Sequence, residues 1–132
     1  MSDAMVERGA LERVEPDPEG AQAALDEARR HARSARAIAG SDLNGAYQLA
    51  YDAARKAVLV RMRRDGLRVR RGEGAHALTA EYARRELDDP LGRRLDAMRR
   101  RRNRSEYGMI SFTGDDVEDA ISIAETLIEQ VS

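Results

Sequence analysis

The 132-residue chain has no cysteine, no tryptophan, three prolines, and a single lysine, Lys56, against 22 arginines. The lack of cysteine excludes a disulfide scaffold and any zinc site built on thiolates. Aromatic residues are scarce at 4% and the mean hydropathy is -0.66, with no long apolar run, so a membrane-spanning protein is excluded. A content of 42% hydrophobic residues excludes a low-complexity tail, and the length suits one compact domain. The start MSDAMVERGA has no apolar segment behind a basic one, so no secretory or lipidation signal is expected and the expected compartment is the cytoplasm.

The near-zero net charge of -1 conceals a segregation. Residues 1–28 carry eight acids against two arginines, residues 29–104 carry 21 bases against nine acids, and residues 105–132 carry seven acids and no base. A polyanion would meet a basic middle flanked by acidic ends. Arginine's planar fork suits bidentate phosphate contacts better than lysine does, although codon bias or an internally paired surface would give the same composition.

Apolar residues recur at intervals of three and four, not two, which predicts an all-α bundle of about five helices. The first helix is expected over 19–39, ended by Gly40, with an alanine-rich stripe that lets a neighbour approach closely. The second, capped by Ser41 or Asp42, reaches about Asp65. The segment Gly66–Gly74, with three glycines and three arginines, reads as a loop, and a third helix follows over about 75–87. Pro90 suits the first turn of a fourth helix ended by Gly108, and the last helix runs from about Asp115 to Val131. Residues 1–18 read as an acidic, mobile arm and 19–132 as the helical domain.

The fourth helix carries the most informative side chain. At 100° per residue, Arg102 falls in the middle of the stripe formed by Leu91, Leu95 and Met98, while Arg99, Arg100 and Arg101 fan around the other faces. An inward arginine needs an acceptor, because an unpaired buried charge costs several kcal/mol. Pairing with Glu106 one turn later would supply it, and so would a cleft in which Arg102 holds a phosphate.

The run RRRRNRSEYG at 99–108, the segment LAYDAARKAV at 49–58 and a Gly-rich loop entering His76 together resemble an actinobacterial branch of the HEPN domains over roughly residues 23–131. The resemblance implies a helical bundle that dimerises, needs no cofactor or metal, and acts on RNA as a metal-independent endoribonuclease. It also implies a toxin-antitoxin setting with a nucleotidyltransferase-type antitoxin as partner. The family's pattern of arginine, asparagine and a later histidine is matched at Arg102 and Asn103. Tyr107 stands where the histidine is expected, and no histidine follows it.

Transesterification through the 2′-hydroxyl needs a proton acceptor, a proton donor and a cation facing the phosphorane. Arginine is the cation, whereas a tyrosine with a pKa near 10 is a poor base at neutral pH. Arg102, Asn103 and Tyr107 are therefore the candidate catalytic residues. Arg99, Arg100, Arg101 and Arg104, with Arg68, Arg70, Arg71 and His76 from the Gly-rich segment, are the candidate RNA contacts. Tyr107 is also a candidate site for adenylylation by such a partner, or a residue packing on the last helix.

The absent motif histidine equally suits a non-catalytic interaction module partnering a nucleotidyltransferase. His31 reads as a packed or surface residue, and Glu73 with His76 lacks the second copy a di-iron bundle requires. The glycines form no Walker or dinucleotide fingerprint, and no helix-turn-helix pattern is evident.

Overall fold

The computed structural model describes residues 3–132, and its chain order is α1 (Asp3–Glu7), β1 (Leu11–Arg13), α2 (Pro18–Ile38), α3 (Leu43–Asp65), β2 (Leu67–Val69), α4 (Ala75–Glu86), α5 (Asp89–Glu106) and α6 (Gly114–Val131). Each long helix but α4 starts on a side-chain cap that satisfies a free backbone N–H. Asp17 accepts from Gly20 N at 2.9 Å, Asp42 from Gly45 N at 2.8 Å and Asp88 from Leu91 N at 3.0 Å, while Thr113 and Asp116 form a reciprocal capping box. Asp88 sets the start of α5 one residue ahead of Pro90, which stays in the first turn.

Helix α3 is the central element. Its small residues Ala46, Ala50, Ala53, Ala54 and Ala57 are fully buried, and Ala21, Ala24, Ala28, Ala32 and Ala35 of α2 are buried as well. Alanine faces let the α2–α3 hairpin close tightly, and α6 lays Val117, Ile121, Ala124, Leu127 and Val131 into the same core. Helix α3 ends at Gly66, whose left-handed φ of 71° satisfies the last carbonyls of the helix. A Cβ there would stand 2.5 Å from Val14 O, so the position needs glycine twice over.

Helices α4 and α5 form a second antiparallel pair against α3. Their close approach depends on Gly92, where a Cβ would lie 2.3 Å from the Arg84 backbone nitrogen. Tyr82 of α4 and Leu95 of α5 are almost completely buried.

Two expectations differ from the structure. The Gly66–Gly74 segment is not wholly a loop, since its residues Leu67–Val69 pair antiparallel with Leu11–Arg13 in the register Leu11↔Val69, Glu12↔Arg68 and Arg13↔Leu67. Three-residue strands are too short to show a period of two. Within the segment expected as an arm, α1 and β1 bury Met5 and Leu11 in the common core, and Arg8 is salt-bridged to Glu81 of α4. Among the described residues no helix is long and apolar enough to cross a membrane.

Candidate functional site

The inward stripe of α5 is apolar for two turns, through Leu91, Leu95 and Met98, and then places Arg102 against α3. Arg102 Nε donates to Gln48 Oε1 at 2.6 Å, and its Nη2 lies 3.4 Å from Glu106 Oε1. Its guanidinium carbon stands 5.4 Å from the centroid of the Tyr51 ring, a cation–π contact. Of the two sequence alternatives for its acceptor the pair one turn on is present, and the side chain also reaches across to Gln48 of α3, an acceptor not expected from the sequence. Gln48 accepts through a neutral amide, and Glu106 is half-exposed.

Tyr51 also meets His76, the second residue of α4. Its Nδ1 is 3.2 Å from the Tyr51 hydroxyl oxygen, and the two rings are tilted with centroids 5.8 Å apart. Burial is the largest influence on His76 and lowers its pKa from the ordinary value, and the Arg55, Arg102 and Arg99 guanidiniums lower it further. These influences favour the neutral imidazole. Its place in the first turn of α4 acts in the same direction, because a helix N-terminus disfavours positive charge. Burial pushes the Tyr51 phenol up to about 12, so it stays protonated and can donate or accept at His76.

In front of His76 opens a cleft of about 250 Å³, lined by Gly72, Gly74, Ala75, Ala77, Arg99 and Asn103 as well as His76 itself. A Cβ added at Gly72 or Gly74 would meet nothing within 4 Å, so backbone rather than side chain forms that wall. Arg99 is held by Asp96 at 2.9 Å. A second cavity, of about 710 Å³, shares Ala75 and His76 and runs beneath β2 past Arg55 and Met62. Among the described residues the buried Arg55 Nε has no hydrogen-bond partner, and the Nη2 of the same side chain lies 3.9 Å from Asp52 Oδ1.

The structure thus gathers Arg99, Arg102, Asn103 and His76 around the α3–α4–α5 junction. The other candidates point elsewhere. Arg100 pairs with Asp96, and Arg101 pairs with Asp116 at 3.1 Å over the stacked rings of Tyr47 and Phe112, on the α6 side. Arg68 and Arg70 pair with Glu12 across the strand pair, at 2.6 and 3.8 Å, while Arg71 and Arg104 are exposed. Tyr107 closes α5 and is 81% exposed, so its ring does not pack on the last helix.

Gln48, Asp52 and Arg55 were not singled out as site residues from the sequence. Their spacing of 48, 51, 52 and 55 traces a polar stripe down one side of α3, and that signal was legible. Among the described residues no group of three or more His, Asp or Glu could hold a metal ion.

A family model, HEPN domain, matches residues 19–132. No curated protein and no solved structure matches the chain.

Proposed function

Since the chain belongs to the HEPN domain family, we propose that it binds RNA at the α3–α4–α5 junction and cleaves it there without a metal ion. Arg102 and Arg99 take the phosphodiester charge and Asn103 hydrogen-bonds beside them. The observation that carries this reading is the half-buried Arg102, tied to a neutral amide and one half-exposed carboxylate, on the same helix as Arg99 and Asn103, which line a cleft with His76. Desolvated guanidiniums facing a developing phosphorane are the arrangement from which such enzymes draw much of their rate. The active unit in this proposal is a homodimer in which α5 of each subunit, with Arg102, Asn103 and Tyr107, faces a shared cleft. The biological setting is a cytoplasmic toxin-antitoxin pair.

The test is incubation of the full-length protein with mixed RNA in EDTA, beside Arg102→Ala. RNA binding and cleavage by the wild type, both lost in a variant that melts normally, is the expected outcome. Unchanged activity in Arg102→Ala with unchanged melting overturns the assignment.

A second reading is favoured by one surface feature: Tyr107 and Met109 are both large, apolar and exposed, at 81% and 68%, on the turn after α5. A non-catalytic module that presents this turn to a nucleotidyltransferase partner, with Tyr107 as the hydroxyl that is modified, would use them. A wild-type protein inert towards RNA that gains the mass of one AMP on Tyr107 when co-expressed with such a partner would establish it.

A further inference from the structure

We infer that His76, carried by α4 and not by the α5 motif, is the catalytic base of the RNA cleavage proposed above, with Tyr51 as its positioning residue. This rests on the RNA-cleavage reading of the same site. A base for the 2′-hydroxyl must be unprotonated near neutral pH, lie beside the phosphate-binding cations and be fixed in orientation. Of the polar side chains that line the cleft besides His76, Arg99 is a guanidinium and Asn103 does not titrate, while the Tyr51 phenol behind His76 is held protonated. His76 alone meets all three demands.

The geometry supplies the orientation. The Tyr51 hydroxyl, almost wholly buried, engages Nδ1 and leaves Nε2 as the free ring nitrogen of a residue that lines the cleft with Arg99 and Asn103. In the tautomer that leaves Nε2 unprotonated, Nδ1–H donates to the Tyr51 oxygen. A hydroxyl is both donor and acceptor, so it holds the ring in place before and after proton transfer. The groups that act on the imidazole are Asp52, Arg55 and Tyr51 of α3 together with Arg99 and Arg102 of α5. Burial first, and then the three guanidiniums, favour its neutral form in the free protein, with Asp52 opposing them. A bound phosphodiester offsets part of that field, so the imidazole becomes more basic once substrate is present.

The step is a transesterification. His76 Nε2 takes the proton of the 2′-hydroxyl, the 2′-oxygen forms a bond to phosphorus, and the bond from phosphorus to the 5′-oxygen breaks. The 5′-oxygen leaves with a proton from solvent water, and the imidazolium returns its proton to solvent. The products are a 2′,3′-cyclic phosphate and a 5′-hydroxyl end, with no oxidant or metal required.

The experiment uses the full chain, a fluorescent mixed-sequence RNA in EDTA, and the same RNA with every 2′-hydroxyl methylated as an uncleavable binding probe. His76→Gln is expected to lower the cleavage rate by about 10²–10⁴-fold while binding the methylated RNA like the wild type. The wild-type kcat/KM should fall with decreasing pH along a limb centred below about 6.5, and His76→Gln should lack that limb. Added imidazole should return part of the rate to His76→Ala, which a merely structural role would not allow. Tyr51→Phe should lower kcat, leave KM unchanged and displace the limb.

Should His76→Gln fold poorly, the wild-type pH limb and the imidazole rescue still decide the matter. Wild-type protein that does not bind the methylated RNA overturns the RNA reading itself. Wild-type protein that binds but does not cleave, or a His76→Gln variant that cleaves at the wild-type rate, overturns the role of His76 and leaves the binding reading standing.

Discussion

The two sides of α3 solve opposite problems. Toward α2 and α6 the helix offers buried alanines that pack against other small and aliphatic residues. Toward α4 and α5 it offers Gln48, Tyr51, Asp52 and Arg55, which meet Arg102 and His76 beside an open cleft. The sealed side gains stability from burial. The other side carries several arginines, one with an unpartnered buried nitrogen, an arrangement that contributes little to stability and fits binding an anion. The lesson is that a single helix can anchor the fold with one stripe while the neighbouring stripe positions a site.

That contrast can be broken at graded cost. On the sealed side, Leu127→Ala should lower unfolding free energy by about 2–5 kcal/mol, read as a lower urea midpoint at unchanged slope, because Leu127 is completely buried in α6. At the joint that brings α5 to α4, Gly92→Ala should cost about 1–3 kcal/mol, since the new methyl meets the Arg84 backbone and not a movable side chain. On the cleft side, Arg102→Ala should change stability by about 1 kcal/mol or less, as its ion pair with Glu106 is half-exposed, yet abolish RNA binding in a gel-shift assay.

The smallest effect is expected at the α5–α6 contact. The Arg101 guanidinium and the Thr113 backbone N–H together hold the Asp116 carboxyl down to about 2. A depressed folded-state pKa contributes stability above the ordinary value of 3.8 and loses it as pH falls through about 2. Asp116→Asn should therefore cost about 1 kcal/mol or less at pH 7, and melting curves of the two proteins should converge near pH 2.

Much of this organisation was legible in the sequence. The five long helices fall within one or two residues of their expected ends, because Asp17, Asp42, Asp88 and Thr113 are ordinary caps and the alanine stripes are unambiguous. Helix α1 and the strands were not legible, since five-residue and three-residue elements leave no period, and only packing on the bundle forms them. At the site, the wheel of α5 showed that Arg102 faces inward. What it faces is a tertiary matter: Gln48, Tyr51 and His76 are far from it in sequence and are assembled only when α4 and α5 close on α3. Arg100, Arg101 and Arg102 look equivalent in a string of arginines, yet two successive 100° rotations send them to Asp96, to Asp116 and to Gln48.

The most direct test of the division between the two sides is an NMR titration of the labelled full-length protein with 2′-O-methyl RNA. The account predicts amide shift changes concentrated at residues 72–77 and 99–103 and on the Gln48–Arg55 stripe, with α2 and the outer face of α6 unmoved. Changes centred on α2 or α6, or none at saturating RNA, would contradict it.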